Sequence, residues 1–299
     1  MLFRKVRSRV AFGFLAACCA LPLATPAPAQ QAVKVAGVEA RVLRDFAYGA
    51  DDDQRMDVYL PAAATKDAPA ILMVHGGGWK RGDKAMDRVV DNKVARWLPK
   101  GIAFISVNYP MVPEADPVVQ ADNVARALAK AQAEAAGWGL DPARFVLMGH
   151  SAGAHLVTLL NADPVRATRQ GAKPWIGVVS LDSGALDVPE IMTRRHNELY
   201  DDAFGADPAF WKAVSPQHQL KAGGAPWLGV CSDMIRDSCP ENRAYADRAQ
   251  SLGLRAEVLP EKLRHGEINY TLGEPGAYTD AVEAFLASLD PQVKALLGK

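Results

Sequence analysis

From residue 41 onward, short apolar runs alternate with segments of helical spacing. Arg41 to Tyr48 and Arg55 to Leu60 read as two opening strands, joined by the turn-rich Gly49-Ala50-Asp51-Asp52-Asp53. Ala70 to Val74 is wholly apolar and ends in glycines, which suits a central strand, and Ile102 to Val107 has the same character. Arg144 to Met148, Trp175 to Leu181, Trp227 to Cys231 and Arg255 to Leu259 read as further strands. Between them, Asp87 to Leu98, the Ala-rich Val118 to Ala136, Ala152 to Leu160, Arg243 to Leu252 and Tyr278 to Leu289 carry helical spacing. Strands that are apolar on both faces and alternate with helices predict an α/β domain with a mostly parallel central sheet covered on both sides. The stretch 187–225 breaks this rhythm with Pro, Trp, Tyr and many polar residues. It reads as a lid-like insertion over the carboxyl edge of the sheet, where ligands of open α/β sheets bind.

The first thirty residues follow a different pattern. Arg4, Lys5, Arg7 and Arg9 precede an apolar run from Val10 to Leu23, and Ala24-Thr25-Pro26-Ala27-Pro28-Ala29-Gln30 then supplies an Ala-x-Ala site. Basic start, apolar middle and small-residue end are the order of a secretory signal peptide. The expectation is a leader over residues 1–29, a single domain over 30–299, and a periplasmic or secreted protein. An apolar run of about 14 residues is short for a stable membrane span. Leu15-Ala16-Ala17-Cys18 also has the form of a lipoprotein signal, with a lipid anchor on Cys18, although the apolar residues after it fit a continuing leader better.

Composition narrows the function. The whole chain holds 34 basic and 34 acidic residues, and loss of the leader removes four basic ones, for a mature net charge of about −4. No basic block remains, so nucleic acid is excluded as an expected partner. Two cysteines remain, Cys231 and Cys239, and in an oxidising compartment a pair this close predicts a disulfide.

Gly149-His150-Ser151-Ala152-Gly153 carries the central chemical signal. A Gly-x-Ser-x-Gly sequence alone is weak, but this one follows an apolar strand and leads into a helix, the arrangement that presents a serine nucleophile on a strained turn. His75-Gly76-Gly77-Gly78-Trp79 follows the strand ending at Val74, and such a glycine loop lets backbone N–H groups approach an oxyanion. A serine hydrolase with this topology needs its acid and then its histidine after the serine. Of the histidines at 75, 150, 155, 196, 218 and 265, only His265 lies beyond the strand Trp227 to Cys231 that is expected to carry the acid. It is read in a loop after the strand Arg255 to Leu259. Asp233 and Asp237 both qualify as the acid. The segment Asp237-Ser238-Cys239-Pro240 resembles the turn that commonly follows the acid, which favours Asp237, bracketed by the expected Cys231–Cys239 bridge.

With these residues in place the chain resembles the His-Gly-Gly esterase and lipase branch of the α/β-hydrolases, in particular bacterial feruloyl-esterase-like and kynurenine-formamidase-like proteins. Met56 to Pro61, His75 to Trp79, Asn108-Tyr109, Asp122 with its Ala-rich helix, Gly149 to Leu156, Ser215-Pro216, and His265 with Leu272-Gly273 carry the resemblance. The loop Cys231 to Cys239 departs from the usual Gly-x-x-Asp. The resemblance implies ester hydrolysis through an acyl-enzyme. Ser151 attacks, His265 takes its proton, Asp237 orients the imidazole, and the N–H groups of Gly77, Gly78 and Ala152 receive the oxyanion. No metal or organic cofactor is called for, and no Cys/His cluster has zinc spacing. The same residues would serve an aryl formamide or amide hydrolase or a small peptidase. A catalytically inactive binding module, the reading from another class, usually lacks part of the set present here.

Overall fold

The structure, a computed structural model, describes Leu2, residues 31–63 and residues 66–299. The leader, its cleavage site and Cys18 lie outside the described residues. The nine strands described form one sheet. In chain order they are β1 (Gln31–Val35), β2 (Val38–Ala47), β3 (Arg55–Pro61), β4 (Ala68–Val74), β5 (Ala103–Val107), β6 (Leu140–His150), β7 (Gly177–Leu181), β8 (Trp227–Ser232) and β9 (Ala256–Glu261). Across the sheet they run β1-β2-β3-β5-β4-β6-β7-β8-β9. The β1–β2, β2–β3 and β3–β5 pairs are antiparallel, and every pair from β5 through β9 is parallel.

The parallel part explains its own sequence. Every residue of β4, β5 and β7 is buried, because helices cover both faces. On one face lie α1 (Asp87–Trp97) and the later helices α10 (His265–Tyr270), α11 (Ala277–Ala287) and α12 (Pro291–Leu297); on the other lie α2 (Pro117–Trp138), α3 (Ala152–Ala162), α4 (Pro164–Arg169) and α9 (Ser238–Ser251). The longest helix, α2, starts where Asp116 accepts the N–H groups of Val118 and Val119 with Pro117 in the first turn, and ends at Gly139 in a left-handed conformation. Its buried alanines at 121, 125, 127, 131 and 135 let it lie close to the sheet.

Between β7 and β8, the stretch read as an insertion carries four short helices: α5 (Val188–Met192), α6 (Glu198–Phe204), α7 (Pro208–Ala213) and α8 (Pro216–Gln219). Ser215 ties it inward, donating from Oγ to the Leu186 carbonyl and accepting the Val188 N–H. Register brings the functional edge together. Val74 pairs with Gly149, His150 with Leu181, and Leu181 with Val230, so β4, β6, β7 and β8 all end at one rim of the sheet. Among the described residues, no helix is long and apolar enough to cross a membrane.

Candidate active site

Ser151 sits between β6 and α3 with φ +54° and ψ −118°, a strained backbone for a residue with a side chain. The flanking glycines make this turn feasible. A Cβ on Gly149 would lie 2.3 Å from the Gly153 carbonyl oxygen, and one on Gly153 would lie 2.1 Å from that of Val74. The Ser151 N–H donates to the Leu181 carbonyl at 2.9 Å, which locks the turn to the neighbouring strand. The serine faces a cleft of about 980 Å³, lined also by Gly77, Gly78, Ala152, Asp182 and His265.

The glycine loop after β4 is held on every side. Gly77 (φ +129°) accepts the N–H groups of Lys80 and Arg81 in a tight turn, and Gly78 has φ +63°. Trp79, nearly buried, donates from Nε1 to His155 Nδ1 at 3.1 Å, and His155 donates from Nε2 to the Val214 carbonyl at 2.7 Å. One imidazole thus joins the loop, the serine helix α3 and the insertion. Burial pushes its pKa down to about 4, so it stays neutral for this task. His75 stacks on Tyr109 with ring centroids 4.6 Å apart, and the Tyr109 hydroxyl donates to the His75 carbonyl. Asp57 and Asn108 serve the same loop: Lys84 Nζ pairs with Asp57 Oδ1 at 2.9 Å, and the Lys84 N–H donates to Asn108 Oδ1.

His265 does not lie in a loop but opens α10, whose start is closed by the Arg264 N–H donating to Glu267 Oε2. Behind it, buried Lys93 donates to the Asn269 carbonyl in the last turn of α10, and burial pushes its pKa down to about 7. His150 lies beside His265, ring centroids 4.7 Å apart, and donates from Nε2 to the His265 carbonyl at 2.9 Å. Burial and the adjacent His265 push the His150 pKa down to about 3, so it fixes the backbone of His265 without adding charge.

The acid is where the sequence reading needs correcting. His265 Nδ1 lies 2.6 Å from Oδ2 of Asp182, not beside Asp237 or Asp233. Asp182 directly follows β7 with φ +52° and is only 2% exposed. Its Oδ1 accepts the Ser232 N–H at 2.9 Å and the Ser238 hydroxyl at 2.5 Å. Burial alone would raise this carboxyl, but the bonds from His265, Ser238 and Ser232 outweigh it and hold the pKa below the ordinary carboxylate value. Asp237 instead pairs with Arg194 at 3.2 Å and is half-exposed, while the Asp233 N–H caps β9 by donating to the Glu261 carbonyl. The carboxylate beside His265 keeps the expected chain order, after Ser151 and before His265, but follows a strand one earlier than expected. At the end of β8, the expected location, stands Ser232.

The loop between β8 and α9 keeps a different job. Cys231 and Cys239 form the disulfide, with Cα atoms 5.0 Å apart. The bridge brackets Ser232 and Ser238, one residue inside each cysteine. Ser238 holds Asp182, and Ser232 Oγ donates to the Leu263 carbonyl at 2.6 Å, two residues before His265. The bridged loop therefore supplies two serines that hold the acid and the histidine loop, rather than the acid itself. The segment Leu181-Asp182-Ser183-Gly184, an acidic residue directly after an apolar strand, is the sequence signal that marks this position.

Residues 56–169 match the BD-FAE family model. Over this stretch, well under half of the chain, it is similar to the BD-FAE family. Relatives among curated proteins are distant. The isoprenylcysteine alpha-carbonyl methylesterase ICME of Arabidopsis thaliana is 24% identical over 73% of this chain and 55% of its own length. Kynurenine formamidase of Danio rerio is 30% identical over 53% of this chain and 51% of its own. The chain thus spans about half the length of the curated relatives it matches. Among solved structures, a truncated carbohydrate esterase from gut microbiota superposes with TM-score 0.70 at 18% identity, covering 85% of this chain and 96% of that one. Esterase 2 of Thermogutta terrifontis superposes with TM-score 0.65 at 22% identity, covering 83% and 92%. At these identities the likeness speaks for the fold, to which this chain adds its own arrangement around Asp182.

Proposed function

We propose that this protein hydrolyses carboxylic esters through Ser151, His265 and Asp182. The observation that carries the reading is the Nδ1–Oδ2 bond between His265 and a buried Asp182, in the cleft that also presents Ser151 on its strained turn. With Nδ1–H given to Asp182, His265 keeps Nε2 unprotonated and accepts the serine proton as Oγ attacks the carbonyl carbon. Asp182 stabilises the resulting imidazolium. The N–H groups of Gly77, Gly78 and Ala152 receive the oxyanion, the imidazolium protonates the leaving alcohol, and water then releases the acyl group by the same steps in reverse order. A butyrate-bound form of the Thermogutta terrifontis esterase supports short acyl esters as the first substrates to try.

A ladder of p-nitrophenyl esters of rising acyl length, set beside aryl formamides, tests the reading. Hydrolysis of the esters is expected, and formamide turnover without ester turnover would move the protein to the amide class. That second reading rests on the likeness to the Danio rerio kynurenine formamidase. The leader over residues 1–29 and the Cys231–Cys239 bridge both support export to an oxidising compartment. Mass spectrometry of the mature N-terminus tests it: a start near Gln30 is expected, a diacylated Cys18 would mark a lipoprotein, and a retained leader would overturn export.

A further inference from the structure

The cleft beside Ser151 is lined by five cationic side chains: Lys80, Arg81 and Arg88 on the side of the glycine loop and α1, Arg194 and Arg195 after α5. Two of them are matched. Lys80 pairs with Asp202 at 2.8 Å and Arg194 with Asp237 at 3.2 Å. Most of the carboxylates in the cleft are also occupied. Asp182 holds His265, and Glu241 accepts the N–H groups of Leu186 and Asp187. Among the described residues Arg81 and Arg195 have no carboxylate partner, and Arg88 touches only the sulfur of Met86. Against these three stands Glu198, which has no cationic partner among the described residues. The cleft lining as a whole balances five cations against five carboxylates, but Asp182 is buried and Glu241 is turned onto backbone N–H groups, which leaves three arginines without a carboxylate partner at the mouth.

The same mouth exposes apolar surface. Leu199, Ile235 and Tyr270 line it at 36%, 40% and 42% exposure, and they are three of the nine large apolar side chains left exposed among the described residues. A ligand that uses both features has an apolar or aromatic body and an anionic group. Arginine suits the anion, because its planar fork forms two parallel charge-assisted bonds to a carboxylate.

Resting on the esterase reading above, we infer that the natural substrate is an ester that also carries a carboxylate, received by Arg81, Arg88 and Arg195 while Ser151 attacks the ester carbonyl. These arginines are specificity residues. They do not touch the reacting atoms, and their effect belongs in KM and in salt dependence. At solvent-exposed sites each ion pair is modest, so the three together are expected to give a preference of roughly tenfold, screened as ionic strength rises.

Two matched pairs of esters test this with the purified protein. p-Nitrophenyl hydrogen glutarate differs from p-nitrophenyl valerate by a carboxylate in place of the terminal methyl, and places the anion on the acyl side. 4-Acetoxybenzoate against 4-acetoxybenzamide places it on the leaving group. After subtraction of the uncatalysed rates, the anionic member of at least one pair is expected to have about tenfold higher kcat/KM at low salt, chiefly through KM. The ratio should fall toward one at about 0.5 M salt and in the Arg81→Gln, Arg88→Gln, Arg195→Gln triple variant. Hydrolysis of all four esters with no anionic preference in either pair would overturn this inference and leave the esterase reading standing. So would a preference that the triple variant keeps in full. Failure to hydrolyse any of the four would overturn both together.

Discussion

Replacing Asp182 by Asn separates the structure's assignment of the acid from the alternatives in the neighbouring loop. Three donors converge on the Asp182 carboxylate: His265 Nδ1–H, the Ser232 backbone N–H and the Ser238 hydroxyl. An amide has one oxygen and one NH2. The Ser238 hydroxyl can rotate and accept, but the Ser232 N–H is fixed and can only donate. The amide oxygen must therefore face Ser232, which turns the NH2 toward His265 and forces its Nδ1 to accept. The imidazole proton then sits on Nε2, the atom that has to take the proton of Ser151. Loss of about 10⁴ in kcat is expected, the size seen when a buried triad aspartate is exchanged in this way elsewhere. Asp237→Asn breaks the half-exposed pair with Arg194 and a longer exposed one with Arg236, together worth about 1 kcal/mol, and should stay within roughly fivefold of wild type. The assay is kcat and KM on a p-nitrophenyl ester at neutral pH, with circular dichroism to verify folding. A folded Asp182→Asn protein within tenfold of wild type would refute the reasoning, and so would an Asp237→Asn variant that is the more damaged of the two.

Other consequences are smaller. Ser238→Ala removes a bond to a buried charged acceptor, worth roughly 1.5–3 kcal/mol, and should lower kcat by about tenfold to a hundredfold with less change in KM, while Ser238→Thr restores most of it; equal loss in both variants would argue for a packing role instead. Burial pushes the Glu241 carboxyl up to about 7 against the two amides that bind it, so between the ordinary glutamate range and pH 7 the folded protein keeps a proton that the unfolded chain has released, and stability falls as pH rises through that window. Glu241→Gln should therefore leave Tm unchanged at pH 4 and raise it at pH 8, and the opposite trend in differential scanning calorimetry would contradict the sign. Removing both Cys231 and Cys239 as serines opens a short closed loop worth on the order of 2–3 kcal/mol, so a lower denaturant midpoint is expected, and an unchanged midpoint would show the bridge to be idle.

The legibility of this chain followed from where its signals lie. Ala70 to Val74 and Ile102 to Val107 declare themselves as buried strands because no polar residue interrupts them, and both are central in the sheet. Gly149 to Gly153 is legible because each glycine answers a local backbone contact. The edge strand β1 is short and follows the expected leader, and nothing in its pattern marks it as paired with β2. Asp182 is hidden for a different reason. Its partners lie 50, 56 and 83 residues away, and locally it is one aspartate after a strand, like Asp233 after β8. The residues Asp237 to Pro240, which resemble an acid turn, begin α9, so the proline marks a helix start. Their role in the site passes through Ser238, whose hydroxyl looks ordinary in the sequence.

The central claim is that Ser151 becomes acylated while His265 and Asp182 drive the step. Intact-protein and peptide mass spectrometry after treatment with a fluorophosphonate tests it most directly. One adduct per chain is expected, located on the peptide that contains Ser151, with labelling abolished in Ser151→Ala and strongly slowed in His265→Ala and Asp182→Asn. An adduct on any other residue, or labelling of Ser151→Ala at the wild-type rate, would contradict the account.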